Sequence, residues 1–164
     1  MKLLTTLLSM GVALVLPAGP ASAAAPCALA GSWTLVAADV LHADGSQTRD
    51  YGAAPQGLLL IDADGHYGVQ IYKAERPRFA SGDKKTGTAA EFEAAVMGSS
   101  THFGTVTVDP AAHTLVFDIA HSAYANWEGT RQTRSYQLQG DELRWQVPPR
   151  ADGLIPISVW RRIR

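Results

Sequence analysis

The sequence of 164 residues contains only one cysteine, Cys27, so a disulfide within the chain cannot stabilise its fold. The common catalytic signatures are also missing. There is no Gly-x-Ser-x-Gly elbow to present a nucleophilic serine and no glycine-rich loop to cradle a phosphate. These absences argue against hydrolases and nucleotide-dependent enzymes.

Metal-ligand spacing is absent as well. The five histidines, His42, His66, His102, His113 and His121, show no H-x-H or H-x-x-x-H pattern. Asp62-Ala63-Asp64-Gly65 begins like a calcium loop, but the later positions lack the required glycine and glutamate. We interpret this segment as a tight turn and expect neither a metal nor a cofactor.

Charge is nearly balanced, with a formal net charge of −1, which argues against a nucleic-acid partner. The most apolar segment, from Leu3 to Leu16, is too short to span a membrane, so we expect no membrane span. Lys2 precedes this segment and Ala21-Ser22-Ala23 follows it, which is the pattern of a secretory signal peptide over residues 1–23. We therefore expect a periplasmic or secreted protein whose single domain spans residues 24–164.

The remainder of the chain is a series of short, alternating apolar segments separated by turns. Asp64-Gly65, between two such segments, is a strong hairpin signal. Thr88 and Glu91 form a capping box that predicts one short helix ending near Met97. The alternation predicts strands at about 32–41, 57–62, 66–72, 102–108, 113–121, 129–139, 142–147 and 155–163.

Eight antiparallel strands with one inserted helix favour an all-β fold, an up-and-down barrel, over the alternative β-sandwich. Closure favours the barrel because it removes both exposed sheet edges. An eight-stranded barrel has room inside for its own side chains or for one small ligand.

Several segments in order resemble the bacterial and fungal lipocalin-like domain family, a branch of the calycin-type β-barrels. The similar segments are GSW (31–33), DADGHYGVQ (62–70), RPRFASGD (76–83), GTAAEFEAA (87–95), HFGTVTVD (102–109) and NWEGT-x-x-TR (126–134). The resemblance implies a cavity of ligand size. It also implies that Trp33 on the first strand stacks on an arginine of the last strand, either Arg161 or Arg162. Strand alternation slightly favours Arg161.

The polar and aromatic residues of these segments are candidates to orient a ligand in the cavity. Arg131 and Arg134 are three residues apart, so at most one of them faces inward, where it would attract a carboxylate or phenolate. Tyr67, Arg76 and Arg134 belong to the wider set. The predicted ligand-binding residues are His66, Gln70, Tyr72, Arg78, Phe79, His102, Phe103, Tyr124, Asn126, Trp127 and Arg131.

The sequence thus predicts a barrel that binds a small apolar or amphipathic molecule, anionic ligands included. Two alternatives remain open at this point. One is a small cofactor-independent enzyme, such as an isomerase, cyclase or hydratase, with His66, His102 or Tyr124 as acid or base and Arg131 as oxyanion support. The other is an interaction protein whose barrel is filled by its own side chains. The oligomeric state is left undetermined.

Overall fold

The structure, a computed structural model, describes residues 27–164, so the predicted signal peptide lies outside the described residues. Strands dominate this part of the chain. They are β1 (Gly31–Leu41), β2 (Gln47–Thr48), β3 (Gln56–Ile61), β4 (His66–Tyr72), β5 (Ser99–Asp109), β6 (Thr114–Ser122), β7 (Arg131–Gln139), β8 (Glu142–Gln146) and β9 (Ile155–Arg162). The helix α1 (Ala89–Met97) lies between β4 and β5, and a 3₁₀ turn (Ala125–Trp127) precedes β7.

The sheet closes on itself. Each long strand pairs antiparallel with its neighbour in the sequence, and β9 returns to pair with β1 over Trp33–Leu41. The two-residue β2 pairs only with the end of β1. The predicted eight-stranded up-and-down barrel with one short helix is therefore confirmed, because the closing β1–β9 ladder excludes an open two-sheet sandwich.

The closed end of the barrel is filled by large side chains. Successive strand residues alternate between the interior and the outer surface, so every second residue of a strand faces the interior. The fully buried side chains are Leu29, Trp33, Leu59, Leu115, Phe117, Ile119, Leu143 and Trp160. Most of them come from the strand ends near the short hairpin turns. The β3–β4 turn, in which the Gly65 amide donates to the Asp62 carbonyl oxygen, is one of these turns. The core therefore occupies this half of the barrel.

Arg162, not Arg161, stacks on Trp33. Its guanidinium carbon lies 4.0 Å from the centroid of the Trp33 ring, and its Nη1 donates a 2.6 Å hydrogen bond to the carbonyl oxygen of Ala30. Arg161 is exposed. The prediction that favoured Arg161 was wrong because the buried Ser158 and Trp160 share the face of Arg162, whereas Val159 and Ile163, which flank Arg161 on its own face, are only partly buried or exposed.

Helix α1 belongs to the opposite, open end of the barrel, together with the longer loops. The capping box is present: Thr88 Oγ1 accepts from the Glu91 amide, and the Glu91 side chain accepts from the Thr88 amide. Glu91 also accepts from the Ala80 amide at 2.7 Å, which ties the preceding loop to the helix. None of the described helices is long and apolar enough to cross a membrane.

Candidate functional site

The open half of the barrel contains a hollow of about 370 Å³. Residues of six strands, β1, β4, β5, β7, β8 and β9, contribute to its wall, and the inward positions there include small side chains. On β1 and β9 these include Ala38 and Ser158, which face each other in the β1–β9 ladder. A volume of this size is within the range of small-molecule sites. The hollow contradicts the alternative of a barrel filled by its own side chains.

The mouth of the hollow continues into an outer groove of about 550 Å³ that runs beside α1. Tyr51, Ser100, Trp127 and Arg150 line both spaces, so the cavity and the groove meet at these residues. Val96 and Met97 contribute the exposed apolar side of the groove from α1. The cavity and the groove therefore share one rim, at the open end of the barrel.

A cluster of aromatic rings, here called the floor, lies beneath the cavity, and its members His102 and Trp145 line the cavity directly. Phe117 from β6 lies at the centre, with Tyr67, His102 and Trp145 packed edge-on around it at centroid distances of 4.8–6.0 Å. Trp127 packs edge-on against His102 at 5.9 Å, from the mouth side. Edge-to-face packing of this kind fixes ring orientations. The floor is thus a shaped apolar surface with few polar groups.

Tyr67 and His102 provide one polar pair in this floor. The Tyr67 hydroxyl lies 2.6 Å from His102 Nδ1, and both residues are buried. They belong to adjacent strands, with His102 opposite Val69 in the β4–β5 register. Burial lowers the pKa of His102 to about 3, with the positive charge of Arg134 as the second cause, and burial raises the pKa of Tyr67. Both side chains are therefore neutral at neutral pH.

Arg134 is the second polar feature of the interior. It is 5% exposed, and its guanidinium carbon lies 4.4 Å from the centroid of the Phe117 ring. The two side chains therefore form a cation–π interaction. Its Nη2 donates to Gln132 Oε1 at 3.0 Å. Burial lowers the pKa of Arg134 to about 10, so the side chain remains positively charged at neutral pH.

Three of the predicted ligand-binding residues lie at this site. His102 and Trp127 line the cavity, and Tyr124 lines the outer groove, where its ring packs edge-on against Trp127 at 5.6 Å. Asn126 is exposed beside them in the 3₁₀ turn. The turn between β6 and β7 therefore places aromatic side chains at the mouth.

The structure places the other predicted residues elsewhere. Gln70, Tyr72 and Phe103 lie on the outer face of β4 and β5. Arg78 is exposed in the loop before α1, and Phe79 packs on Phe92 at 5.3 Å. His66 is at the opposite end of the barrel, where its Nδ1 lies 2.9 Å from the Asp62 carboxylate.

Arg131 faces outward, in contrast to its predicted position in the cavity. Its side chain is 71% exposed and makes two hydrogen bonds to Asp118, at 2.7 and 3.1 Å. The hydrogen bond from Arg131 lowers the pKa of Asp118. Arg134 shares its strand face with Tyr136, whereas Arg131 shares its face with Thr133 and Ser135. That contrast in the sequence is a signal that would have identified the inward arginine.

The turn that resembles a calcium loop is held by its own hydrogen bonds. Asp62 Oδ1 accepts from the backbone amides of Asp64 and His66 at 2.9 and 2.8 Å. Gly65 adopts φ of 87°, a left-handed conformation that favours glycine. Asp62, Asp64 and His66 lie close together but are exposed, and these contacts account for the arrangement as a hairpin turn.

A closed antiparallel barrel with a hollow of ligand size open at one end defines the class of small β-barrels that bind small molecules in their interior. A family profile described as a lipocalin-like domain matches residues 30–163. The chain therefore belongs to this lipocalin-like domain family. No curated protein and no solved structure matches the chain significantly.

Proposed function

We propose that this protein binds one small apolar or amphipathic molecule inside its barrel, in the space between the aromatic floor and the mouth. The hollow of about 370 Å³ carries this proposal, because a wall of apolar side chains with a few polar groups is typical of ligand sites. The adjoining groove offers room for a part of the ligand that remains partly exposed.

A neutral fluorescent dye, N-phenylnaphthylamine, tests this proposal. We expect the dye to bind the wild-type protein with a blue-shifted emission. Ala38 lines the cavity, so Ala38→Leu fills part of it and should weaken dye binding about tenfold or more. Thr34→Leu adds similar bulk on the outer face of the same strand and should leave binding unchanged. Equal affinity of all three proteins would overturn the proposal.

We also propose that the protein is exported, on the basis of the apolar segment and the small-residue cleavage site before Ala24. Expression in a bacterial host, followed by fractionation and N-terminal sequencing, tests this localisation. Recovery outside the cytoplasm with Ala24 as the first residue is the expected result. Uncleaved protein confined to the cytoplasm would contradict it.

The Tyr67–His102 pair supports a second candidate function, that of a cofactor-independent isomerase or related enzyme. A histidine on the cavity wall that is hydrogen-bonded to a buried tyrosine is able to relay a proton. The low pKa of His102 makes it a weak base, however, and this favours binding over catalysis. Deuterium incorporation from heavy water into a co-purified ligand, lost in His102→Gln, would establish the enzyme; a ligand without deuterium would reject it.

A further inference from the structure

Arg134 is a buried cation whose guanidinium has an unused donor. Its Nη1 is buried and has no hydrogen-bond partner among the described residues. Its Nη2 is bonded to an amide oxygen, which carries no charge. Within residues 27–164, no carboxylate lies at ion-pair distance from it, and the arginine ion pairs found there involve Arg131 and Arg164 at the surface. Buried charges without a partner are costly, and proteins rarely retain them.

The neighbouring groups do not neutralise this charge. Tyr67 and His102 are hydrogen-bonded to each other and both are neutral at neutral pH. Asp39 and Asp50 also line the cavity, but neither forms an ion pair with Arg134 among the described residues. Within residues 27–164 the buried guanidinium of Arg134 therefore has no carboxylate partner, whereas Arg150, the other arginine of the cavity wall, is exposed.

We propose that Arg134 binds the acidic head group of the ligand, so that the ligand is an amphipathic monoanion such as a carboxylic acid. This inference rests on the proposed function and specifies the chemistry of its ligand. One guanidinium matches one negative charge, and the incompletely bonded guanidinium of Arg134 on the cavity wall supplies a charge-assisted hydrogen bond to an anionic oxygen. Carboxylates satisfy this requirement, whereas a neutral head group leaves the charge uncompensated.

The geometry also gives the ligand a direction. The head group lies at the inner end of the cavity, beside Arg134 and His102. The apolar part extends toward Trp127 and Tyr51 at the mouth, and a long tail continues into the groove beside Val96 and Met97. The acid is thus sequestered from water while the tail remains in contact with apolar side chains.

Two dyes of nearly the same shape test the proposal. Anilinonaphthalenesulfonate carries one negative charge, and N-phenylnaphthylamine is its uncharged counterpart. We expect Arg134→Gln to weaken binding of the anionic dye about 10-fold to 100-fold, the range for a hydrogen bond to a charged group, and to change binding of the neutral dye by less than about twofold. Arg131→Gln, on the outer face of the same strand, should change neither affinity.

A charge-retaining variant and a competition experiment complete the test. Arg134→Lys retains the charge and should retain part of the preference for the anion, and thermal unfolding of each variant verifies that it is folded. Decanoate should displace the neutral dye from the wild-type protein more effectively than decanol, and Arg134→Gln should abolish this difference. The inference is wrong if the neutral dye binds in the cavity but Arg134→Gln leaves the affinities for anilinonaphthalenesulfonate and decanoate unchanged. The proposed function would still stand in that case. If neither dye is sensitive to Ala38→Leu, the proposed function itself fails.

Discussion

Arg162 lies with its guanidinium 4.0 Å from the centre of the Trp33 ring and so covers the closed end of the barrel. Its Nη1 also binds the Ala30 carbonyl oxygen, which joins the last strand to the segment before the first. Gly31 allows this contact, because a Cβ at that position would lie 2.7 Å from Arg162 Nη1. The pair therefore locks together the first and last strands of the sheet.

Arg162→Leu should lower the free energy of unfolding by about 1–3 kcal/mol, through loss of the stacking and of the hydrogen bond to Ala30. The matched control is Arg161→Leu, in the exposed position next to it. Urea unfolding of the two variants measures the difference. An equal loss in both variants would mean that Arg162 does not close the barrel as described.

Most of the fold could be predicted from the sequence because its evidence is local. The alternation of His66–Tyr72, the Asp64-Gly65 turn and the Thr88–Glu91 capping box each act over a few residues, and each appears in the structure. The closing ladder between β1 and β9 followed from the general advantage of covering sheet edges.

The interior of the site could not be predicted in the same way, since it depends on how distant strands converge. Tyr67 and His102 are 35 residues apart, and only the β4–β5 register brings their side chains together. The choices of Arg131 over Arg134 and of Arg161 over Arg162 both concerned which face of a strand points inward. An error of one residue in the assumed alternation turns each side chain to the opposite face of the strand, and so reverses the assignment of the inward arginine.

Arg134→Met should leave the free energy of unfolding unchanged or raise it in the ligand-free protein. Methionine fills much of the same space without the cost of burying an unpaired charge, and such replacements are often neutral or stabilising. Chemical unfolding without any added ligand measures this effect. A loss of more than about 2 kcal/mol would show that Arg134 is required for folding rather than retained for binding.

His102 should make the stability depend on pH. Its pKa is about 3 in the folded protein because the side chain is buried, against about 6.5 in the unfolded chain. Between these values the unfolded chain binds a proton that the folded protein does not. The free energy of unfolding should therefore fall as the pH drops from about 6.5 toward 3, by at most about 1.4 kcal/mol per pH unit.

The variant His102→Gln removes this contribution, so its unfolding free energy should depend less steeply on pH over the same range. His66→Gln is the control, because His66 is exposed at the other end of the barrel. Urea midpoints measured at a series of pH values give both slopes. An unchanged slope in His102→Gln would contradict the buried, neutral state of His102.

Tyr67→Phe should destabilise the protein by about 1–3 kcal/mol, because His102 Nδ1 loses its partner inside the barrel. Tyr124→Phe, which removes a hydroxyl from an exposed ring at the mouth, should change the stability by less than about 0.5 kcal/mol. Thermal or urea unfolding compares the two. Similar stabilities would show that the pair contributes nothing to the floor of the cavity.

A crystal structure of the protein with bound anilinonaphthalenesulfonate would show whether the anion lies inside the barrel beside Arg134. We expect the two aromatic ring systems inside the barrel, between Arg134 and Trp127, with a sulfonate oxygen within hydrogen-bond distance of the Arg134 guanidinium. Dye bound only on the outer surface, with the interior occupied by water alone, would contradict it.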